Sequence, residues 1–305
     1  MSSVEEQAAD EVCASCGKAE VDDIKLKKCT ACKLVKYCSV KCQKDHRSQH
    51  KKACRKRVAE LRDDRLFTQP DESHLGECPI CCLPLPLDAG KSNMKPCCCK
   101  LICRGCEYAN MLREREQGLK GRCPYCREPN PKTKQEADQN LMKRVKANDP
   151  AAMNQVAKLR YQEGRYSEEI FEYWTKAAAL GNLDAHYHLS FLYQEGEGVE
   201  KDMKKKIYHS EEAAMGGHPE ARYYLGNHEG NAGRYDRAAR HYIIAAKLGL
   251  EDALEVVKKN FLRGFVSKED YEAALRGHQA AVDATKSTQR EEAEKDQREG
   301  SGLCN

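Results

Sequence analysis

The sequence predicts a multidomain chain: two small cysteine-rich α+β modules followed by an all-α helical-hairpin repeat solenoid. Three observations predict it. Seventeen of the 18 cysteines lie between Cys13 and Cys126, and only Cys304 falls outside. They form closely spaced pairs in two clusters, Cys13 to Cys54 and Cys78 to Cys126. Beyond them a Gly-x2-acid-Ala element recurs, first at Gly181, 36 residues later at Gly217 and 32 residues later again at Gly249. A chain of 305 residues suits two or three such units better than one core.

Disulfides account for dense cysteines in secreted proteins. The N-terminus MSSVEEQAAD is acidic and lacks a basic segment followed by an apolar stretch, so it does not read as a signal peptide. No apolar run approaches the roughly eighteen residues of a membrane helix. Cys304 is second from the end, whereas prenylation needs a cysteine fourth from the end. The expected compartment is therefore intracellular, cytoplasmic or nuclear, and there repeated Cys-x2-Cys pairs point to zinc. Four ions are expected, two per module. Fifteen thiolates then subtract fifteen charges from the formal +4 and four zinc ions return eight, leaving about −3. Net charge is thus no argument for nucleic acid as a partner.

The first module offers eight ligands in four pairs: Cys13 and Cys16, Cys29 and Cys32, Cys38 and Cys42, His50 and Cys54. A Cys-x2-Cys pair sits on a tight knuckle with both sulfurs converging on one tetrahedral ion. Residues four apart stack on one helix face, so the x3 pairs fit helices. His50 makes the x3 step to Cys54; His46 does not, and reads as a surface residue. The stretch resembles the MYND zinc finger, including Tyr37-Cys38 and Cys42-Gln43. That resemblance implies an interleaved pairing, with Cys13, Cys16, Cys38 and Cys42 on one ion and Cys29, Cys32, His50 and Cys54 on the other. Arg47 stands where MYND fingers usually carry a tryptophan beside the peptide groove. From Lys25 to Arg57 there are thirteen Lys or Arg and one acid, Asp45. A solvated face offsetting thiolate charge is the preferred reading. A nuclear-import signal at Lys51, Lys52, Arg55, Lys56 and Arg57 is the alternative. A nucleic-acid patch is disfavoured because aromatic residues for stacking are nearly absent.

In the second module Cys78-Pro79-Ile80-Cys81 is followed by Cys97, Cys98 and Cys99, then Cys103 and Cys106, then Cys123-Pro124-Tyr125-Cys126. This pattern resembles a RING finger, whose cross-brace implies Cys78, Cys81, Cys103 and Cys106 at one ion. Cys123 and Cys126 sit at the other with two of the three clustered cysteines. Cys97 with Cys98 matches a rarer C-C-G-K type, with Cys99 where glycine stands; Cys97 with Cys99 preserves a C-x-C bite, so Cys99 is the alternative to Cys98. Cys82 reads as spare. All sites have four ligands and no position for a catalytic water, so the zinc reads as structural. Each such ion supplies on the order of 10–16 kcal/mol, which is also folding energy.

RING resemblance implies ubiquitin transfer by positioning, without a covalent intermediate. The partner would be a ubiquitin-conjugating enzyme. Ile80 and Pro124 match its contact surface, and Arg127 matches the linchpin that hydrogen-bonds enzyme and ubiquitin. Ile80 covering zinc, Pro124 shaping the knuckle and Arg127 as a solvated charge are the plainer readings.

In the third region each repeated glycine follows an Ala-Ala helix end, at Ala178-Ala179, Ala213-Ala214 and Ala245-Ala246. Glycine stops one helix and the acid or proline after it opens the next. A period of 32 to 36 residues marks helical hairpins. Tyr193-Gln194-Glu195-Gly196-Glu197-Gly198-Val199 with Asp202 resembles the loop signature of Sel-one-like repeats, relatives of tetratricopeptide repeats. Tyr173, Trp174 and Phe191 read as core packing. The expected boundaries are 1–12 flexible N-terminus, 13–57 MYND-type finger, 58–75 linker, 76–130 RING-type finger, 131–148 linker helix, 149–285 repeats and 286–305 a charged tail, either a frayed helix or disordered.

The leading functional expectation is a RING-type ubiquitin ligase whose repeats and MYND finger recruit protein or peptide substrates. The alternative is a non-enzymatic adaptor, or a transcriptional co-regulator. A MYND-containing methyltransferase is excluded because its Asn-His-x-Cys segment is missing: Asn227-His228 is followed by Glu229 and Gly230.

Overall fold

The computed structural model describes residues 12–21, 23–164 and 168–299. Almost all of the expected flexible N-terminus, and residues 300–305 of the expected tail with Cys304, lie outside the described residues. The chain divides into two compact units, Met1–Thr68 and Gln69–Asn305.

The first unit is a two-stranded antiparallel hairpin followed by two helices. Strands β1 (Lys27–Lys28) and β2 (Lys36–Tyr37) pair Lys27 with Tyr37. Helix α1 (Val40–Asp45) is capped by Ser39, whose hydroxyl accepts from the Cys42 amide at 3.2 Å. Helix α2 (Arg47–Leu66) runs unbroken for 20 residues and buries only His50 and Leu66. A helix so polar gains little from an apolar stripe, so its first half is held by what His50 and Cys54 grip. The expected linker from residue 58 is therefore helical to Leu66.

The second unit begins with the second cysteine cluster. Strands β3 (Ser92–Met94) and β4 (Leu101–Cys103) pair antiparallel, Ser92 opposite Cys103. Helix α3 (Arg104–Glu116) follows, with the Cys103 sulfur at its cap accepting from the Cys106 amide at 3.5 Å. Leu85 and Ile102 pack among Cys78, Cys103 and Cys106 to form a small core.

Helix α4 (Lys134–Lys146) opens on Thr133, whose hydroxyl accepts from the Glu136 amide at 3.1 Å. It buries Leu141 and Val145 in the same core as Trp174, Ile170 and Leu189, so the expected linker helix is the first packed layer of the array. Four helical hairpins follow. They are α5 (Pro150–Gln162) with α6 (Glu168–Ala179), α7 (Leu183–Glu195) with α8 (Met203–Met215), α9 (Pro219–Asn231) with α10 (Tyr235–Lys247), and α11 (Glu251–Leu262) with α12 (Lys268–Ala284). Gly181, Gly217 and Gly249 all adopt the left-handed conformation, φ 88°, 89° and 96°, which explains glycine at each repeat junction. Trp174 is fully buried and donates its indole N–H to Asn154 Oδ1 at 3.0 Å; Tyr173 is half-buried against the same core, and Phe191, also half-buried, packs edge-to-face on Tyr187 and Tyr224.

The expected tail is helical over part of its length. The tail contains helix α13 (Thr288–Arg298), capped by Ser287 and packed on α3. Its low apolar content argued for disorder, but it docks through polar groups. Arg290 is buried, and its guanidinium donates to the carbonyl oxygens of Pro84 at 2.7 Å, Leu83 at 3.2 Å and Thr285 at 2.7 Å. Gln289 donates to the Gly105 carbonyl at 3.0 Å.

Candidate metal centres

Four clusters of cysteine and histidine converge: Cys13, Cys16, Cys38 and Cys42; Cys29, Cys32, His50 and Cys54; Cys78, Cys81, Cys103 and Cys106; Cys97, Cys98, Cys123 and Cys126. In each, all ligand atoms lie within 4.8 Å of one another. A tetrahedron of thiolates at a zinc–sulfur distance near 2.3 Å has an S···S edge of about 3.8 Å. The observed edges are Cys16–Cys38 3.6 Å, Cys38–Cys42 3.6 Å, Cys29–Cys54 4.0 Å, Cys81–Cys103 3.8 Å, Cys98–Cys123 3.9 Å and Cys97–Cys126 3.4 Å. A disulfide would bring sulfurs to about 2.05 Å, so these are not bridges. His50 Nε2 lies 3.2 Å from Cys32 Sγ. Both modules therefore interleave their sites, pairs one and three on one centre and pairs two and four on the other.

The backbone explains the convergence. In each knuckle the residue after the second ligand turns left-handed and its amide donates back to a carbonyl four residues earlier. Gly17 (φ 71°) donates to Cys13, Lys33 (59°) to Cys29, Cys82 (54°) to Cys78 and Arg127 (65°) to Cys123. Cys99 (54°) makes the same turn and donates to Lys95 at 2.7 Å. Cys98 thus stands where a knuckle's second ligand stands, and Cys99 where its left-handed residue stands. The Cys99 thiol is buried with Leu141 and Val145 instead, and burial, then Asp149, push it up to about 12. Cys82 is exposed and outside the clusters.

The electrostatics ask for a cation. The Cys103 thiol hydrogen-bonds Cys78 and outweighs burial, holding Cys78 down at about 4. Cys103 is correspondingly raised, first by that bond and then by burial; burial pushes Cys106 up to about 12. For Cys13 burial is outweighed by the backbone amides of Cys38, Cys16 and Ser15, and for Cys29 by the Cys32 amide and the His50 side chain, bringing each to about 6, while Cys38 rises to about 12 through its bonds to Cys42 and Cys16. Each first thiolate makes the next costlier, so the three or four of a centre ionise together only against a divalent ion. Distances, donors and charge all fit zinc at four centres.

His46 is not the surface residue expected. It is half-buried, its Nδ1 lies 3.1 Å from the Tyr37 hydroxyl, and its ring stacks on His50 at 5.8 Å. It braces a ligand without joining the cluster. Arg290 was invisible to sequence reasoning: Nη2 donates to Cys81 Sγ at 3.4 Å. No spacing rule connects residues so far apart.

Ile80 is exposed at 41%, Pro124 half-buried and Arg127 exposed. Arg127 donates to Asn110 Oδ1 on α3 at 3.1 Å.

Residues 13–54 match the family model of the MYND finger. Two solved structures are similar in part. One is a Sel1 repeat protein from Oxalobacter formigenes, 25% identical with a TM-score of 0.44, covering 56% of this chain and 51% of that one. The other is c5321, a protective antigen present in uropathogenic Escherichia coli strains displaying an SLR fold, 21% identical with a TM-score of 0.38, covering 62% of this chain and 44% of that one. The chain spans about half the length of the solved structures it matches. No curated protein matches it. Among the described residues no helix is long and apolar enough to cross a membrane.

Proposed function

We propose that this chain is a zinc-dependent RING-type ubiquitin ligase, built on an adaptor frame of MYND finger and helical repeats. The observation that carries the reading is the crossed pairing of the second module, with Cys78, Cys81, Cys103 and Cys106 apart from Cys97, Cys98, Cys123 and Cys126. The sixteen cluster residues of the two modules are assigned as ligands of four structural zinc ions. The β3–β4 hairpin and α3 between the ligand pairs support the same reading.

In this reading the module works by position. Ile80 offers an apolar contact to a ubiquitin-conjugating enzyme, Pro124 another part of the same surface, and Arg127 donates to enzyme and ubiquitin. The Asn110 bond holds the Arg127 side chain beside α3, which lowers the entropy lost on engaging a partner. No group of this chain forms a covalent intermediate.

The second reading is an adaptor without transfer chemistry. It draws on the edge-to-face cluster of Tyr187, Phe191 and the exposed Tyr224 on α7 and α9, an aromatic surface suited to protein or peptide. Autoubiquitination by zinc-loaded full-length chain with a panel of conjugating enzymes separates the two. Chains formed by the wild type and lost in Ile80→Ala and Arg127→Ala, at equal zinc content, support the ligase. Absence of transfer across the panel from folded, zinc-loaded protein leaves the adaptor.

A further inference from the structure

A fifth cluster lies outside both fingers. His74 Nε2 stands 3.1 Å and His218 Nε2 3.5 Å from Asp184 Oδ1, and the three donor atoms fall within 4.8 Å of one another. We infer that His74, Asp184 and His218 form a further divalent-metal site, of nitrogen–oxygen rather than thiolate chemistry. It would fasten the segment ahead of the RING-type module to the repeat array.

The donor set is that of an open three-ligand site. Zinc with nitrogen and oxygen ligands at 2.0–2.1 Å has ligand–ligand edges of about 3.3 Å, which the two measured separations bracket. Both imidazoles are buried, 7% and 4% exposed, so these are not surface histidines meeting by chance. Asp184 is more open and lines a cavity of about 320 Å³, which leaves room for water at a remaining position. His218 Nδ1 accepts from the Ala221 amide at 3.3 Å as the cap of its helix and lies 3.2 Å from Glu220 Oε2, so the far edge of the ring is fixed in place.

The two rings stack at 4.0 Å, 12° from parallel, with the Asp184 and Glu220 carboxylates beside them. A divalent cation balances those two carboxylates, at the cost of tilting one ring.

The backbone is built to bring the three together. Asp184 and Glu220 occupy the same position in successive repeats, and His218 the helix-capping position held by Asn182 in the repeat before. The His74 amide donates to the Gly217 carbonyl at 3.0 Å. A Cβ at Gly217 would lie 2.5 Å from the Glu72 carbonyl, so glycine lets the segment seat here.

The test uses the full chain, with any histidine tag removed, titrated anaerobically with cobalt(II). Finger sites give intense thiolate-to-cobalt absorption; the inferred site takes one further equivalent with weak d–d bands alone. That thiolate-silent equivalent is expected in the wild type and lost in His74→Gln and Asp184→Asn, with thiolate absorption and helicity unchanged. Glu220→Gln should weaken it about tenfold or more. Absence of a thiolate-silent equivalent in the wild type, as expected of a stack that holds only a proton, overturns the inference even if a variant fails to fold. So does its survival in both variants.

Discussion

Arg290 Nη2 donates to Cys81 Sγ at 3.4 Å across 209 residues of chain. The same guanidinium satisfies the Leu83 and Pro84 carbonyls, so one side chain from α13 holds the knuckle that carries two ligands of the third centre. Hydrogen bonds to a metal-bound thiolate fix its orientation and moderate its charge.

Arg290→Ala should therefore release one zinc to a competing chelator about tenfold faster or more, with the MYND ions unaffected. Leaving buried carbonyls unpaired adds about 1–3 kcal/mol of destabilisation. Arg290→Lys keeps the charge but not the fork and should fall between. Stopped-flow zinc release with a colorimetric chelator reads this directly; equal rates for all three proteins would show that α13 does not govern the site.

Cys98 and Cys99 should separate cleanly. Cys98→Ser is expected to lower bound zinc by one and loosen the second cysteine module, whereas Cys99→Gly keeps four finger zincs. Glycine suits the left-handed φ of 54° and offsets part of the lost buried thiol. Metal analysis by mass spectrometry of the folded variants decides it.

Two glycines of α9 should respond in opposite senses. A Cβ at Gly226 would lie 2.6 Å from Tyr242 Cε1. That ring is buried, and its hydroxyl donates to Asn227 Oδ1 at 2.7 Å. Gly226→Ala should cost about 1–3 kcal/mol through overpacking, less up to ~1 kcal/mol of helix propensity. At Gly230 the nearest atom is the Ala238 Cβ at 3.8 Å. Gly230→Ala should gain up to ~1 kcal/mol. Urea titration of helicity gives both signs.

His188 stacks on Trp174 at 4.7 Å, and burial lowers its pKa to about 4. The unfolded chain takes up this proton near pH 6.5 and the folded chain only near 4, so stability should fall as pH drops through that window. Trp174 is the single tryptophan, so its fluorescence reports the protonation. The expected midpoint is near 4; a midpoint near 6.5 would place His188 in solvent.

The zinc knuckles and helix starts were legible because their determinants are local. The spacing of Cys13 to Cys54 carries its own geometry, and Asp149-Pro150 announces a helix by capping chemistry alone. The Cys98–Cys99 ambiguity was open because both thiols can ligate in principle. In the structure a backbone turn anchored at Lys95 puts Cys98 in the cluster and Cys99 outside it, which no cysteine count reveals. The α13 clamp and the His74 cluster were illegible for another reason. Each joins residues from distant segments, and polar docking leaves no hydrophobic stripe to read.

The position of Arg290 so late in the chain sets an order of events during synthesis. Cys126, the last finger ligand, is made 164 residues before it. At 5–20 residues per second, about 8–33 seconds separate the two. Through that interval the nascent second cysteine module can gather its metal while the Leu83 and Pro84 carbonyls still face water. A ribosome stalled or terminated within the repeats would release a chain whose fingers are complete and whose third centre is unlatched, a species that cellular quality control would meet with an open zinc knuckle.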